Sequence, residues 1–464
     1  MRARAPFLLL PLLLAGCAIG PNYRRPAVSA PGQYRGAPPN SSAASLADEK
    51  WFELFQDDTL KQLVTTALEH NFDLGIASER VLEARARFRI SRAGEFPLVT
   101  AQASVTSSRP SRVGANPVIP AQSIDVSYTQ AGVGLSWELD LWGRLRRLSE
   151  SARAQYLATE EGRRGVIVSL IGDVIGHYFT LRERDLELDI ARRTRTIAED
   201  NLRLVRLRHE RGAATGLDVH QAEEFLYTAT AQIASAQRDI GQEENALNLL
   251  AGRLPGDIAR GRALDEFRLP AEVPPGLPSS LLDRRPDIRQ AEQDLISANA
   301  QIGAAKALYF PQISLTGLLG GQSWALSNLF TGPARLQNVS SAAILPIFDA
   351  GQTRAGVRLS EAQKREMLVA YQKTIYSAFR EVSDALVGYD RTREERQQQE
   401  LLVGALSEAT RLSNLRYKGG LDSYLQVLFA ERSLFQSELL LAQLRLREML
   451  SFVQLYRALG GGWQ

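Results

Sequence analysis

The residue best suited to covalent chemistry in this chain is Cys17. It is the only cysteine, so no internal disulfide can form. It follows Leu14-Ala15-Gly16, which ends the short apolar run Phe7–Leu14 behind the positive charges of Arg2 and Arg4. That order is a secretory leader, too short to span a bilayer, and its last four residues resemble a bacterial lipobox. Cleavage before Cys17 frees an amine for one acyl chain, while the thiol carries a diacylglycerol thioether. Several chains give the stable anchoring that one does not. The alternative is an ordinary leader with an incidental cysteine. Ala18 rather than Asp follows, so an inner-membrane retention signal is missing and the outer membrane is the expected destination.

Other reactive groupings are missing from the sequence. Four histidines (His70, His177, His209 and His220) and three methionines are too scattered for a metal site. There is no nucleophile motif, no histidine–carboxylate cluster and no phosphate-cradling glycine loop, so an enzyme is the class with least support. Net charge is +3 and falls by two once Arg2 and Arg4 leave with the leader. The arginines alternate with Asp and Glu along helical stretches, as solvated faces with i,i+4 pairs do, and nothing points to nucleic acid.

The elements that position these residues are written twice. Gly143, Arg146, Leu207-Arg208, Gly212, Ala222-Glu223 and Gly252 recur as Gly351, Arg354, Leu415-Arg416, Gly420, Ala430-Glu431 and Gly460, each 208 positions later. Such a constant offset implies two copies of one unit. Phe96-Pro97 and Phe310-Pro311 are instead 214 apart, so a loop differs in length by six residues. The spacing divides the chain into a leader (1–16), a lipid-anchored Pro/Ser/Gly-rich extended tether (17–56), a first copy (57–252), a Pro-rich linker (253–282) and a second copy (283–464).

Each copy changes period. Val99, Ala101, Ala103 and Val105 alternate with Thr100, Gln102, Ser104 and Thr106, a two-residue period over a membrane-crossing length. A second run over Ile124–Leu139 slips parity near Thr129-Gln130, which predicts a bulge. Ile313, Leu315 and Leu319 alternate with Gln312, Ser314 and Thr316, and a weaker run covers 337–348. Four strands, two hairpins, follow. On pattern alone they could equally form a soluble sheet with one wet face. Four strands cannot close a membrane barrel, so strands that enter a bilayer require several chains to share one, because open edges are not tolerated there.

Helix fills the remainder. No proline interrupts residues 141–208, about 100 Å of helix, and 360–415 makes a second rod. After glycine-bearing turns, Val219, Ala222, Leu226, Ala229, Ile233, Ala236 and Ile240 step by threes and fours, as do Leu425, Leu428, Phe435, Leu439, Ala442, Leu446 and Met449. These are heptad seams of two antiparallel helical hairpins, each with flanks to bury.

Several segments are recognisable together. Cys17-Ala18-Ile19-Gly20-Pro21-Asn22-Tyr23-Arg24-Arg25-Pro26, Trp137-Glu138-Leu139-Asp140-Leu141-Trp142-Gly143-Arg144, Leu282-Asp283-Arg284-Arg285-Pro286-Asp287-Ile288 and Ala458-Leu459-Gly460-Gly461-Gly462-Trp463 occur in order. With them the mature chain resembles the outer-membrane efflux protein family, the TolC-like channels, in its lipoprotein branch. The resemblance implies an α+β membrane protein with four transmembrane strands and long coiled-coil hairpins per chain, assembled as a homotrimer with one β-barrel and one α-barrel. It implies passive conduction in the outer membrane for an inner-membrane pump, through a periplasmic adaptor, with no cofactor beyond the acyl groups on Cys17 and no metal. Other readings are a type I protein secretion duct or a lipid-anchored periplasmic scaffold without a pore.

The resemblance also places the pore's closure at the hairpin turns, 208–219 and 416–427. Asp218 and Tyr417 fall where family members tie neighbouring helices by hydrogen bonds. Where relatives carry aspartates in the second turn, this chain has Gln426 and Phe429. Two readings stay open: Asp422 substitutes for those aspartates and Phe429 rings the pore, or Asp422 caps a helix and Phe429 packs inside the hairpin.

Overall fold

Chain direction is set by long proline-free stretches and by alternating runs, and the elements follow them. The computed structural model describes residues 18–28, 30–37, 45–109, 111, 125–270 and 273–462. Its main elements are α1 (Trp51–Phe55), α2 (Asp58–His70), α3 (Phe72–Ala93), β1 (Leu98–Ser108), β2 (Val126–Leu139), α4 (Arg144–Glu210), α5 (Gly216–Leu250), α6 (Leu281–Arg284), α7 (Pro286–Ala307), β3 (Gln312–Ser323), β4 (Arg335–Ile344), α8 (Gln352–Lys418) and α9 (Tyr424–Ala458). The duplication is visible in their lengths: α4 and α8 each have 67 residues, α5 and α9 each 35, α3 and α7 each 22. The first strand hairpin is connected through 109–125 and the second through the shorter 324–334, which places the length difference in a loop.

Two compact units are present, and each draws on both copies. One comprises residues up to Ala27, Val81–Thr159 and Ala291–Tyr371; the other comprises Val28–Arg80, Glu160–Gln290 and Gln372–Gln464.

The first unit holds an antiparallel sheet in the order β1-β2-β3-β4. Val99 pairs with Leu135, Ala101 with Val133, Leu319 with Val133 and Leu315 with Trp137, so apolar residues of successive strands share one face. Thr100, Gln102, Ser136, Glu138, Ser314 and Thr316 share the other. The expected bulge is not there. Val105 pairs with Thr129 and Ser104 with Gln130 in an unbroken register from Leu98↔Ser136 to Ser108↔Val126. The parity change marks the end of the apolar band next to the β1–β2 connection, not an inserted residue. Strand β4 also stops at Ile344, short of the anticipated 348, because Pro346 has no N–H for the ladder.

Residues 19–25 of the expected extended tether are docked on this unit. Ile19 N–H donates to the Trp142 carbonyl at 3.0 Å, and Arg147 donates to the Ile19 carbonyl at 3.2 Å and to Asn22 Oδ1 at 2.7 Å. Asn299 donates to the Pro21 carbonyl at 2.8 Å, and Tyr23 and Arg25 reach Glu292 at 3.0 and 3.2 Å. Gly143 sits at φ +77°, and a Cβ there would lie 2.7 Å from Ala18 Cα. Next to it, Asp140 accepts from the N–H groups of Leu145 and Arg146 at 3.1 and 2.9 Å and so caps α4. Arg144 pairs with Glu138 at 2.6 Å, and the Trp142 indole donates to the Pro311 carbonyl at 2.8 Å. The Trp137–Arg144 segment is thus a strand-to-helix splice, and the segment after Cys17 is the strap laid across it.

In the second unit, Arg285 joins two of the recognisable segments. It is 9% exposed, donates to the Ala458 carbonyl at 3.1 Å, and pairs with Asp287 at 2.7 Å and Glu381 at 2.8 Å. Pro286 opens α7, and Asp287 stands in its first turn, where a carboxylate favours the helix N-terminus. Helices α4, α5, α8 and α9 bury an apolar seam that includes Val205, Ala222, Phe225, Val427 and Phe435, with Phe225 and Phe435 edge to face at 6.3 Å. Among the described residues no helix is long and apolar enough to cross a membrane.

Gly143→Ala forces a side chain into left-handed backbone, a cost of about 1–2 kcal/mol, and also pushes on Ala18. A lower melting temperature and faster proteolysis within residues 18–28 are expected, measured on the purified protein in detergent.

Candidate functional site

The candidate site is the pair of helix turns, α4–α5 and α8–α9. Glycine makes both possible: Gly212 and Gly420 adopt φ +73° and +74° with open space around them. In the first turn Asp218 is a capping residue. Its Oδ2 accepts from the Thr215 N–H and hydroxyl, both at 2.8 Å, while the Asp218 N–H donates to Thr215 Oγ1 at 3.2 Å, a reciprocal box that satisfies helix-end donors. The carboxylate is occupied locally, and within this chain it makes no hydrogen bond to Tyr417.

Tyr417 is 6% exposed. Its ring lies 5.6 Å from that of Tyr424 and carries the Arg208 guanidinium 4.1 Å from its centroid. Arg208 also donates to the carbonyls of Tyr417 and Lys418 at 3.2 and 3.4 Å. This arginine, on α4, is the group that ties one hairpin to the turn of the other. Among the described residues the Tyr417 hydroxyl itself is enclosed without a partner.

Asp422 does not cap α9. The N-cap of α9 is Ser423, which makes no side-chain capping bond. Asp422 forms a two-pronged ion pair with Arg416 at 2.6 and 3.2 Å, and that guanidinium holds its carboxyl below the usual range. A paired carboxylate offers little free charge to a cation ring. Phe429 does not pack inside the hairpin: it is 72% exposed, next to exposed Leu425 and Gln426 on the outer side of α9's first turns.

The sequence singled out neither Arg208 nor Arg416 as site residues, although both were visible as a repeated pair. They diverge because the residue six positions on is Ala214 in the first turn and Asp422 in the second. Arg416 is retained by its own hairpin, and Arg208 reaches across to the other. Cys17 lies outside the described residues; its neighbour Ala18 rests on Gly143 at the splice.

Two long helical hairpins written as a repeat, with a four-stranded antiparallel sheet inserted, define the class of the efflux channels. The outer membrane efflux protein family model matches residues 63–253 and 277–461. The chain is 39% identical over 457 residues to the toluene efflux pump outer membrane protein TtgC of Pseudomonas putida, covering 97% of this chain and 94% of the relative. It is 37% identical to the outer membrane protein OprJ of Pseudomonas aeruginosa, covering 98% and 95%. Its fold is similar to the open state of the Neisseria gonorrhoeae MtrE outer membrane channel, with a TM-score of 0.86, 32% identity, and coverage of 97% and 99%. The chain belongs to the outer membrane efflux protein family. It is an outer-membrane component of an efflux system, in a family of channels and not of enzymes.

Removing the Tyr417 hydroxyl leaves no group unpaired among the described residues, so Tyr417→Phe is expected to change stability by no more than about 0.5 kcal/mol. Arg208→Ala loses both the ring contact and the two carbonyl bonds, and should cost on the order of 1–2 kcal/mol. Denaturant melts of the two variants beside wild type test this ordering.

Proposed function

We propose that three copies of this chain form one passive conduit for small toxic compounds. The inner-membrane pump supplies energy, and a periplasmic adaptor connects the two. One observation carries the assembly: the sheet of a single chain is open. β1 and β4 each have an unpaired edge, and apolar side chains such as Val99, Val105, Val133, Leu319 and Val339 are 51–74% exposed on it. In hydrocarbon, unpaired strand edges cost several kcal/mol per group, so β4 of one copy must pair with β1 of the next. The number three is taken from the family resemblance, as twelve strands are ample for a barrel and four are not.

Apolar organic cargo is favoured by the relative named for toluene efflux. Acylation of Cys17 by a diacylglycerol and an N-acyl chain fits the strap, whose first described residue is held at the end of β2 (Ala18 on Gly143). In this reading the end of β2 lies at the membrane interface, which brings Cys17 close to outer-membrane lipid.

The hairpin turns are the pore's closure in this reading.

Planar-bilayer conductance of the purified acylated protein, wild type beside Tyr417→Phe/Asp218→Ala, tests conduit and closure together. A tightly closed wild type that opens in the double variant is expected. No conductance from either would remove the pore. Replacing Cys17 by serine should abolish incorporation of labelled palmitate and release the protein from membranes washed with salt.

A further inference from the structure

The duplication supplies its own comparison near the turns. Glu223 and Glu431 are equivalent, 208 positions apart, and so are Arg206 and Asn414. In the first hairpin, Glu223 meets Arg206 at 2.7 Å and His220 at 3.0 Å, and these partners hold its carboxyl below the usual range. In the second hairpin the arginine is an asparagine and the acid is buried, 5% exposed. Glu431 Oε1 accepts from Asn201 of α4 at 2.7 Å and from Asn414 of α8 at 3.1 Å. Its Oε2 is enclosed with no partner, as are Thr410 Oγ1 and the Tyr417 hydroxyl.

Three helices from both hairpins therefore meet at one carboxyl that has amide donors but no contacting cation. Thr410, Tyr417 and the exposed Lys418 belong to α8, Tyr424 to α9, and Arg208, engaged with Tyr417, to α4. From α5, Asp218 acts on Tyr424, whose hydroxyl is raised by burial and by Glu431. Burial pushes Glu431 up, against the two amides and the charge of Lys418.

We propose that Glu431 is a proton-held latch between the hairpins: neutral, it seats α9 against α4; ionised, it draws water into the seam and frees the second turn. The proton passes to solvent and no bond in the chain is broken. The proposal rests on the reading of the turns as the pore's closure. The packed arrangement favours the neutral acid, so it binds the proton more tightly than a separated, hydrated one. Acid therefore favours closure, and rising pH favours release.

The test is bilayer conductance of the acylated protein from about pH 5 to about pH 8, for wild type, Glu431→Gln, Asn414→Arg and Glu223→Gln. Infrared difference spectra of the protonated-carboxyl band are recorded in parallel. Wild type should rise several-fold in conductance with pH, and Glu431→Gln should stay closed throughout. Asn414→Arg, which restores the cation of the first hairpin, should be open already in acid and lose the band, and Glu223→Gln should follow wild type. Glu183 is a second buried acid, pushed up to about 8 by burial and then by Glu187, so the band is read as wild type minus Glu431→Gln. Should Glu431→Gln fail to assemble, the band is read as wild type minus Asn414→Arg, and the conductance of those two still decides. A pH dependence that survives in Glu431→Gln would overturn the latch, as would the absence of a protonated Glu431 at the acid end of that range. A band that titrates in Asn414→Arg-sensitive fashion while conductance stays constant would instead overturn it through the closure reading, leaving the proton site standing.

Discussion

Backbone polar groups cannot be left unpaired in hydrocarbon, and the rest of this protein depends on that constraint. One chain supplies four strands, an apolar face and two free edges. Such a sheet has no stable place in a membrane alone, whereas several copies joined edge to edge have no edge at all. Regularity follows from the same requirement. A bulge would twist the ladder locally, and the β1–β2 and β2–β3 registers run without one.

Strand must become helix within a few residues at the end of β2, and the local chemistry is concentrated there. Gly143 provides the left-handed turn, Asp140 satisfies the first free N–H groups of α4, and Arg144 returns to Glu138. The strap of residues 18–25 is laid over this splice by Arg147, Asn299 and Glu292. The acyl groups proposed on Cys17 would then be one residue from a segment docked on the sheet's unit.

The two hairpins show how a duplication acquires direction. Arg208 and Arg416 occupy equivalent positions, yet one ties the hairpins together and the other is retained by Asp422. Thr215 and Asp218 form a complete capping box, whereas their counterparts Ser423 and Gln426 leave the α9 N-terminus without a side-chain cap. Glu223 is solvated and paired, and Glu431 is buried between amides. The first turn is thus capped and its acid paired within its own hairpin, whereas the second lacks the side-chain cap and its acid is held partly from α4.

Much of this was determined by the sequence alone, because periodicity and spacing are properties of one dimension. The 208-residue offset, the strand pairs and the proline-free helices depend on local backbone preference and on which face must be buried. Only the tertiary structure decided the rest. The parity slip at Thr129-Gln130 could be an inserted residue or the end of an apolar band, and the register across the sheet settles it as the latter. Residues 18–25 are extended either way, and whether they swing free or dock depends on acceptors and donors more than a hundred positions distant. Asp422 and Phe429 were each open to two roles, because a side chain's partner is set by how the helices pack. Burial of Glu431 could not be read from its own segment, since the asparagine that replaces its arginine and the one that crosses from α4 meet only in three dimensions.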